Sequence, residues 1–129
     1  MFTGTSISTS PVIAASAGAA IDNGAGKAVK FDASGNIVLC SAAGEAALGV
    51  LILQHADKIA AGDTVTVQIE RQGQAVAGGT IAAGDLLAVN ASGAVVKAVT
   101  GNYVLGQALS AGTTGGFVNI QIFKGGQLN

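Results

Sequence analysis

Residues 63–70 read DTVTVQIE, and this octapeptide decides the fold class. Its apolar residues, Val65, Val67 and Ile69, stand at every second position, and polar residues stand between them. A period of two places the two kinds of side chain on opposite faces of an extended strand. Val, Ile and Thr also suit the pleated surface of a sheet. The octapeptide therefore predicts a half-buried β-strand.

The strand pattern continues on both sides of this octapeptide. Residues 28–31 (AVKF) and 117–124 (FVNIQIFK) alternate in the same way, though less sharply. Residues 46–54 (AALGVLILQ) form a continuous apolar run, which suits a strand buried on both faces. Gly49 inside this run indicates a bulge or a close approach of another backbone. We therefore predict an all-β protein.

Two similar turns separate predicted strands. Residues 32–35 read DASG, and residues 90–93 read NASG. The Asp or Asn side chain can bond its own backbone, and the Gly accepts a positive φ. Because apolar residues flank both turns, each turn predicts a β-hairpin.

The two turns belong to an internal repeat. Residues 26–69 can be laid over residues 84–122, so that Leu48 falls on Leu105 and a terminal VQI falls on IQI. The pentapeptide IAAGD also occurs twice, each time ahead of a predicted strand. Two copies are too few for a solenoid, which needs about three or more. The repeat predicts two related halves wrapped into one small domain over residues 26–129, a β-barrel or, as the alternative, a sandwich.

The first 25 residues differ from the rest. They are rich in Ser, Thr, Ala and Gly and show no strong period. We predict an extended N-terminal arm over residues 1–25 that a partner orders, with a disordered tail as the alternative. The residues of the arm that we expect to bind a partner are Phe2, Ile7, Pro11, Val12 and Ile13.

The composition predicts a covered surface. Half of the residues are hydrophobic, but only 4% are aromatic and 10% are charged, against roughly 25% charged in ordinary domains. Much of the hydrophobic fraction is Ala, which buries far less area than the larger aliphatic side chains. Such a monomer is expected to be marginally stable, and oligomerisation or docking would supply further burial. The alternative is an extracellular or thermally robust β-domain.

Charge and cysteine content exclude several partners and compartments. The net charge is −1 and the six Lys and Arg residues are scattered, so we expect no nucleic-acid binding. Cys40, the only cysteine, ends an apolar run and is predicted to be a small buried hydrophobe. Residues 1–10 lack the positive charge of a secretory signal, and the longest apolar run is too short to span a bilayer. We expect a protein that is made in a cytoplasm and either stays there or is assembled there.

Catalytic, cofactor and metal sites are not predicted. His55 is the only histidine, and it follows an apolar run where a solvated loop is expected. One His, one Cys and seven scattered carboxylates are a poor ligand set for a metal. Tyr103 and the strand over residues 117–123 are expected to pack in the core, with a seam between subunits as the alternative. We therefore expect no enzyme, no cofactor and no small-molecule substrate.

The order of these motifs resembles the small capsid decoration, or cement, proteins of tailed phages. The resemblance is carried by AGKAVKFDASG (25–35), ALGV (47–50) and AGDTVTV (61–67) in the first copy. The second copy carries it with AGDLLAVNASG (83–93) and GNYVLGQAL (101–109). Each motif is weak by itself, but together they cover nearly the whole chain.

The resemblance implies a fold and a mode of action. The family is similar to the head-stabilising proteins of lambda-like phages, which have a compact β-barrel called a β-tulip. It implies a homo-oligomer, commonly a trimer, that binds the major capsid protein on the outer surface of the expanded head. The N-terminal arm is expected to become ordered against the capsid, and the family has no catalytic residues to transfer. Such a protein would stabilise the shell by bridging neighbouring capsid subunits.

Other functions remain open at the level of sequence. A second candidate is another phage structural β-module, associated with a tail tube, a spike or a fibre. A third is a carrier domain of the lipoyl or biotinyl type, which needs a modifiable lysine at a hairpin tip; Lys58 is the nearest candidate. A secreted adhesin or an ice-binding β-domain is the remaining alternative.

Overall fold

The computed structural model describes residues 12–52 and 58–129. Within these two ranges every regular element is a β-strand, which confirms the predicted all-β class. The strands are β1 (Val12–Ser16), β2 (Ile21–Asp22), β3 (Ala28–Phe31), β4 (Ile37–Leu39), β5 (Gly49–Leu51), β6 (Lys58–Ile59), β7 (Thr64–Gln68), β8 (Arg71–Val76), β9 (Leu86–Val89), β10 (Val95–Lys97), β11 (Tyr103–Ala108) and β12 (Phe117–Gln127).

The strands form two five-stranded sheets and a short ribbon. Sheet 1 has the order β1-β7-β5-β3-β4, and sheet 2 has the order β8-β12-β11-β9-β10. The ribbon pairs β2 with β6. All of these pairings are antiparallel. Each sheet keeps two free ends in its strand order, so the predicted single closed barrel is replaced by two open sheets.

The two sheets have the same strand order when β1, β7, β5, β3 and β4 are matched with β8, β12, β11, β9 and β10. The matched strands also follow the same order along the chain. Each half therefore pairs its own five strands, which is the physical reason that the halves do not merge into one barrel. The repeated segments within residues 26–69 and 84–122 lie on matched strands, whereas the two IAAGD pentapeptides precede β7 and β9, which are not matched with each other.

The two similar turns, residues 32–35 and 90–93, have matching geometry. The Asp32 Oδ1 accepts hydrogen bonds from the backbone N–H groups of Ser34 and Asn36 at 2.8 and 3.0 Å. The Asn90 Oδ1 accepts the equivalent pair from Ser92 and Ala94 at 2.9 and 3.0 Å. The glycines of both turns, Gly35 and Gly93, have φ of 81°. The side-chain acceptor and the left-handed glycine together close each hairpin.

Each half has a core of aliphatic side chains. The core of sheet 1 contains Val29, Ile37, Leu51, Val65 and Val67. The core of sheet 2 contains Leu87, Val95, Ala108, Val118 and Ile120, which occupy the matched positions, and it extends to Ala28, Cys40 and Val50 of the first half. Val50 and Leu51 are each 1% exposed, as the apolar run around them predicts. The larger core thus joins the two halves.

Two predictions about the packing are wrong. The predicted arm reaches residue 25, but β1 and β2 lie inside that range, where β1 pairs with β7 over five residues and Ile21 is 2% exposed. Antiparallel pairing with β7 satisfies the backbone of β1 within the chain itself, so this part of the segment needs no partner to order it. For Tyr103 and the strand over residues 117–123, the core is predicted ahead of a seam between subunits. Val118, Ile120 and Ile122 do lie in the core, but the aromatic residues Tyr103, Phe117 and Phe123 are 43%, 48% and 47% exposed.

Candidate functional site

The outward face of β12 combines aromatic and amide side chains. Along residues 117–123 of this strand, exposed and buried residues alternate without exception. The exposed residues are Phe117, Asn119, Gln121 and Phe123. Val118, Ile120 and Ile122 point the other way and fill the core. The alternation anchors the strand through its apolar side and presents the other side outward.

Neighbouring strands extend the amides into a patch. Gln121 lies opposite Gln72 of β8 and Gln107 of β11, and Asn119 lies opposite Gln74 of β8. The Gln74 Nε2 donates a hydrogen bond to the Asn119 Oδ1 at 3.3 Å. We call these five residues, Gln72, Gln74, Gln107, Asn119 and Gln121, the amide face. They carry no formal charge, which is unusual for the exposed side of a sheet in a soluble domain.

Apolar side chains border the amide face. Phe117 and Phe123 flank it along β12. Leu86 of β9 lies opposite Gln107 and is 38% exposed. Every aromatic residue that the structure describes is between 43% and 48% exposed, and none is buried in a core. An uncharged patch bordered by half-exposed aromatic residues has the composition of a protein interface.

The matching face of sheet 1 is covered. The row Gln72–Gln121–Gln107–Leu86 crosses sheet 2, and its counterpart in sheet 1 is Val12–Gln68–Val50–Ala28. Ala28 and Val50 are almost fully buried, within a cluster that includes Ala75, Leu105 and Ile122 of the second half. A Cβ placed on Gly73 would lie 3.2 Å from the Gln68 Cγ and 3.8 Å from the Val50 Cγ2. The second half therefore covers on sheet 1 the position that the amide face occupies on sheet 2.

The amide face ends at an edge strand. β8 is terminal in the strand order of sheet 2. Its first residue, Arg71, is charged, but the residues from Gln72 to Val76 include no Lys, Arg or Pro, which commonly protect an edge from pairing. The Val76 N–H donates to the Gly26 carbonyl oxygen at 2.9 Å, which ties one end of the strand to the first half.

A polar cluster lies on the opposite half of the molecule. The Lys30 Nζ is 2.8 Å from the Glu45 Oε1, and the Glu45 Oε2 accepts hydrogen bonds from the N–H groups of Ser41 and Ala42 at 2.7 and 2.9 Å. The hydrogen bond to Glu45 raises the pKa of Lys30. Burial would raise the pKa of Glu45, but the bonds from Lys30, Ala42 and Ser41 outweigh it and lower that pKa. This cluster clips the loop before β5 to sheet 1.

Cys40 lies beside this cluster and is chemically protected. The thiol is 1% exposed, and burial, with a smaller contribution from the Glu45 charge, raises its pKa from 9.0 to about 12. Because the thiolate is the reactive form, Cys40 is a poor nucleophile at neutral pH. Its predicted place as a small buried hydrophobe is confirmed.

A groove of about 510 Å³ lies where the two halves join. It is lined by Ile69, Glu70, Arg71, Gln121, Ile122, Phe123 and Lys124. Arg71 and Lys124 both have a positive φ, so the chain bends sharply on both sides of the groove. Apart from Glu70, Arg71 and Lys124 these lining residues bear no charge, and they include neither a carboxylate pair nor a histidine.

The residues singled out from the sequence fall in several places. Phe2, Ile7 and Pro11 lie outside the described residues, as does His55. Val12 and Ile13 lie in β1, and Ile13 packs against the core of sheet 1. Lys58 begins β6, paired with Asp22, which is a strand position and not a hairpin tip. Within residues 12–52 and 58–129, no cluster of three or more metal-ligating side chains occurs.

No local sequence pattern identifies the amide face. The alternation over residues 117–124 does predict that Phe117, Asn119, Gln121 and Phe123 share one side of a strand, but it does not say which strands lie beside it. Gln72, Gln74 and Gln107 come next to that strand only through the order β8-β12-β11.

Membrane-spanning helices are absent from the part of the chain that the structure describes, since none of its elements is a helix of sufficient length and hydrophobicity.

Comparison with known proteins identifies the fold. No protein-family model matches the chain, and no curated protein matches it. Among solved structures, the chain is similar to the N base of the head fibre gp8.5 of bacteriophage phi29, with a TM-score of 0.69 and 20% sequence identity. The match covers 92% of this chain and 97% of the other. The chain therefore has the fold of that head-fibre base over nearly its whole length.

Proposed function

We propose that this chain is a non-enzymatic structural protein of a tailed-phage virion, and that it binds the outside of the assembled head. The observation that carries the proposal is the fold, which matches the N base of a phage head fibre along 92% of the chain. The order of the turn and strand motifs supports it separately, because the resemblance to capsid decoration proteins depends on residue patterns and not on the three-dimensional match.

The surface of the chain supports a binding role. Seven large apolar side chains among the described residues are between 38% and 62% exposed, and the buried core there holds only aliphatic residues and Cys40. Three of them, Leu86, Phe117 and Phe123, border the amide face, and an exposed apolar border of this kind supports a contact with another protein there. With 10% charged residues, the chain has little of the surface charge that keeps a monomer apart from its neighbours.

The mechanism that we propose is stabilisation by mass action. A ligand that binds the assembled, expanded shell and not the separate subunits lowers the free energy of the shell. Bridging two capsid subunits adds to this effect, because a bridged subunit can leave the shell only after its contact with the chain has also been broken. A homo-oligomer, such as a trimer, would strengthen weak single contacts through effective concentration. The N-terminal residues Phe2, Ile7 and Pro11 are proposed to contribute to the capsid contact.

Co-sedimentation tests the proposal directly. The purified chain is mixed with expanded heads and with unexpanded procapsids of the phage that encodes it. We expect the chain to pellet with the expanded heads and to raise their temperature of disruption. Expanded heads that neither bind the chain nor gain heat resistance would refute the proposal. A variant that lacks residues 1–11 tests the contribution of the N-terminal segment.

The solved structure favours a second candidate, in which the chain is the base of a projecting fibre. That candidate also binds the head, but it predicts a further protein attached to the chain. Electron microscopy of the virion separates the two. A low, uniform coat on the head supports stabilisation, whereas a slender projection above each copy supports a fibre base.

A further inference from the structure

The amide face occupies a position that the other half of this molecule uses for packing. On sheet 1, the row that contains Gln68, Val50 and Ala28 is covered by the second half. On sheet 2, the matched row, which contains Gln121, Gln107 and Leu86, has no such cover from the described residues. One chain thus shows that a β-half can dock at this position of a sheet, although the buried residues there, Val50 and Ala28, are aliphatic and not amides.

The chemistry of the face suits a copy of itself. A carboxamide donates two hydrogen bonds and accepts two, so amides on two identical faces can satisfy one another. A charged face would repel its own copy, whereas Gln72, Gln107 and Gln121 bring no charge to the contact. Phe117 and Phe123 would add apolar burial at the two ends of the row, where each is now about half exposed.

The position of β8 at the edge of sheet 2 also favours a second copy of this chain as the partner. β8 ends the strand order of sheet 2, with the charged Arg71 as its first residue and no Lys, Arg or Pro from Gln72 to Val76. Beyond Arg71 the edge lacks these protections and is open to pairing with another chain. A partner that covers the amide face would also shield this edge.

We infer that the amide face and its aromatic border form the contact between two copies of this chain. The inference rests on the proposed function and deepens it, because it names a surface through which two copies pair; identical faces meet about a two-fold axis, so this contact by itself closes at a dimer. Its test does not use capsids, so the two can fail separately.

The experiment measures the molar mass of the full chain by light scattering over a wide range of concentration. We expect a mass above that of one chain that falls on dilution. Gln121→Lys and Gln107→Lys each place a charge in the row and should raise the dissociation constant about 10-fold or more, because a buried unpaired charge is costly. The matched control is Thr64→Lys, at an exposed strand position of sheet 1. It should leave the dissociation constant unchanged.

Labelling gives a second measurement that does not depend on added charge. In Asn119→Cys, the new thiol should react slowly with a maleimide when the oligomer is present and faster on dilution, while Cys40 stays buried. A wild-type chain that is monomeric at every concentration would overturn the inference. An oligomer that both lysine variants leave intact, or a thiol at position 119 that reacts at one rate throughout, would overturn it as well.

Discussion

Gly49 and Gly106 occupy matched positions on β5 and β11, and a Cβ on either would run into a main-chain carbonyl oxygen. For Gly49 the oxygen belongs to Gln68, and for Gly106 it belongs to Gln121, which is the residue matched with Gln68. Neither glycine has a positive φ. Close approach of the backbones, and not conformational freedom, is therefore what requires glycine at both positions.

Replacement of either glycine is expected to be strongly destabilising. Gly49→Ala and Gly106→Ala should each lower the free energy of unfolding by about 2–4 kcal/mol, because main-chain atoms cannot yield as a side chain can. Denaturant unfolding followed by circular dichroism measures the change. Gly79→Ala is the control, since a Cβ there meets no atom within 4 Å. Losses of equal size at all three positions would contradict the explanation.

The matched turns predict a tolerated exchange. Asp32→Asn and Asn90→Asp keep the side-chain oxygen that accepts two backbone N–H groups, so each should change stability by less than about 0.5 kcal/mol. Asp32→Ala and Asn90→Ala remove the acceptor and should each cost about 1–2 kcal/mol. Thermal unfolding of the four variants measures the difference. Alanine variants as stable as the exchanges would show that the glycines close the turns without the side chains.

The buried thiol predicts a loss of stability in alkali. In the unfolded chain Cys40 loses its proton near its ordinary pKa of 9.0, whereas in the folded chain it keeps the proton until about pH 12. The unfolded state therefore binds fewer protons between these values, and stability falls as the pH rises, by at most about 1.4 kcal/mol per pH unit. The pKa of Lys30 is also raised in the folded chain, by its hydrogen bond to Glu45. Stability therefore falls further as the pH rises through the pKa of Lys30, because the ammonium loses its proton and the ion pair is lost.

The variant Cys40→Ala separates the contribution of Cys40 to this pH dependence from the contribution of Lys30. Urea unfolding at a series of pH values should show a shallower decline for this variant than for the wild type between pH 9 and 12. The folded wild type should also react slowly with a thiol reagent at pH 8 (roughly one unit below the ordinary pKa) and rapidly in urea. Equal pH dependence in the two proteins would contradict the assignment to Cys40.

Two adjacent residues on β12 predict opposite consequences. Ile122 is 2% exposed and Phe123 is 47% exposed. Ile122→Ala should cost about 2–5 kcal/mol, because it leaves a cavity in the core. Phe123→Ser should change the stability of the monomer by less than about 1 kcal/mol but weaken self-association. Unfolding measured under monomeric conditions, beside the molar mass at high concentration, checks both; a Phe123→Ser variant that unfolds like Ile122→Ala would place Phe123 in the core.

Sequence patterns predict the local structure of this chain better than its packing. The alternation over residues 63–70 corresponds to β7 (Thr64–Gln68), and the DASG and NASG turns lie where the hairpins turn. Such features depend on neighbours along the chain. The predicted barrel is wrong because closure depends on which strands pair, and each half here pairs only within itself.

The two faces of β12 also show that local sequence patterns do not predict packing. Periodicity separates Phe117 and Phe123 from Val118 and Ile120, but hydrophobicity by itself assigns the aromatic residues to the core. In the structure the aliphatic side of the strand is the buried one, as part of a core that consists of aliphatic side chains and Cys40. The amide face required the strand order, which no local pattern contains.

Because Tyr103 is exposed, its intrinsic fluorescence can report contacts at the surface of the chain. It is the only Tyr in a sequence without Trp, and it is 43% exposed. Ultraviolet emission excited near 280 nm therefore comes from one ring at the surface, and the aliphatic interior contributes nothing to it. A change in that emission on mixing with a partner, or a loss of quenching by acrylamide, would report contact at the surface without any added dye.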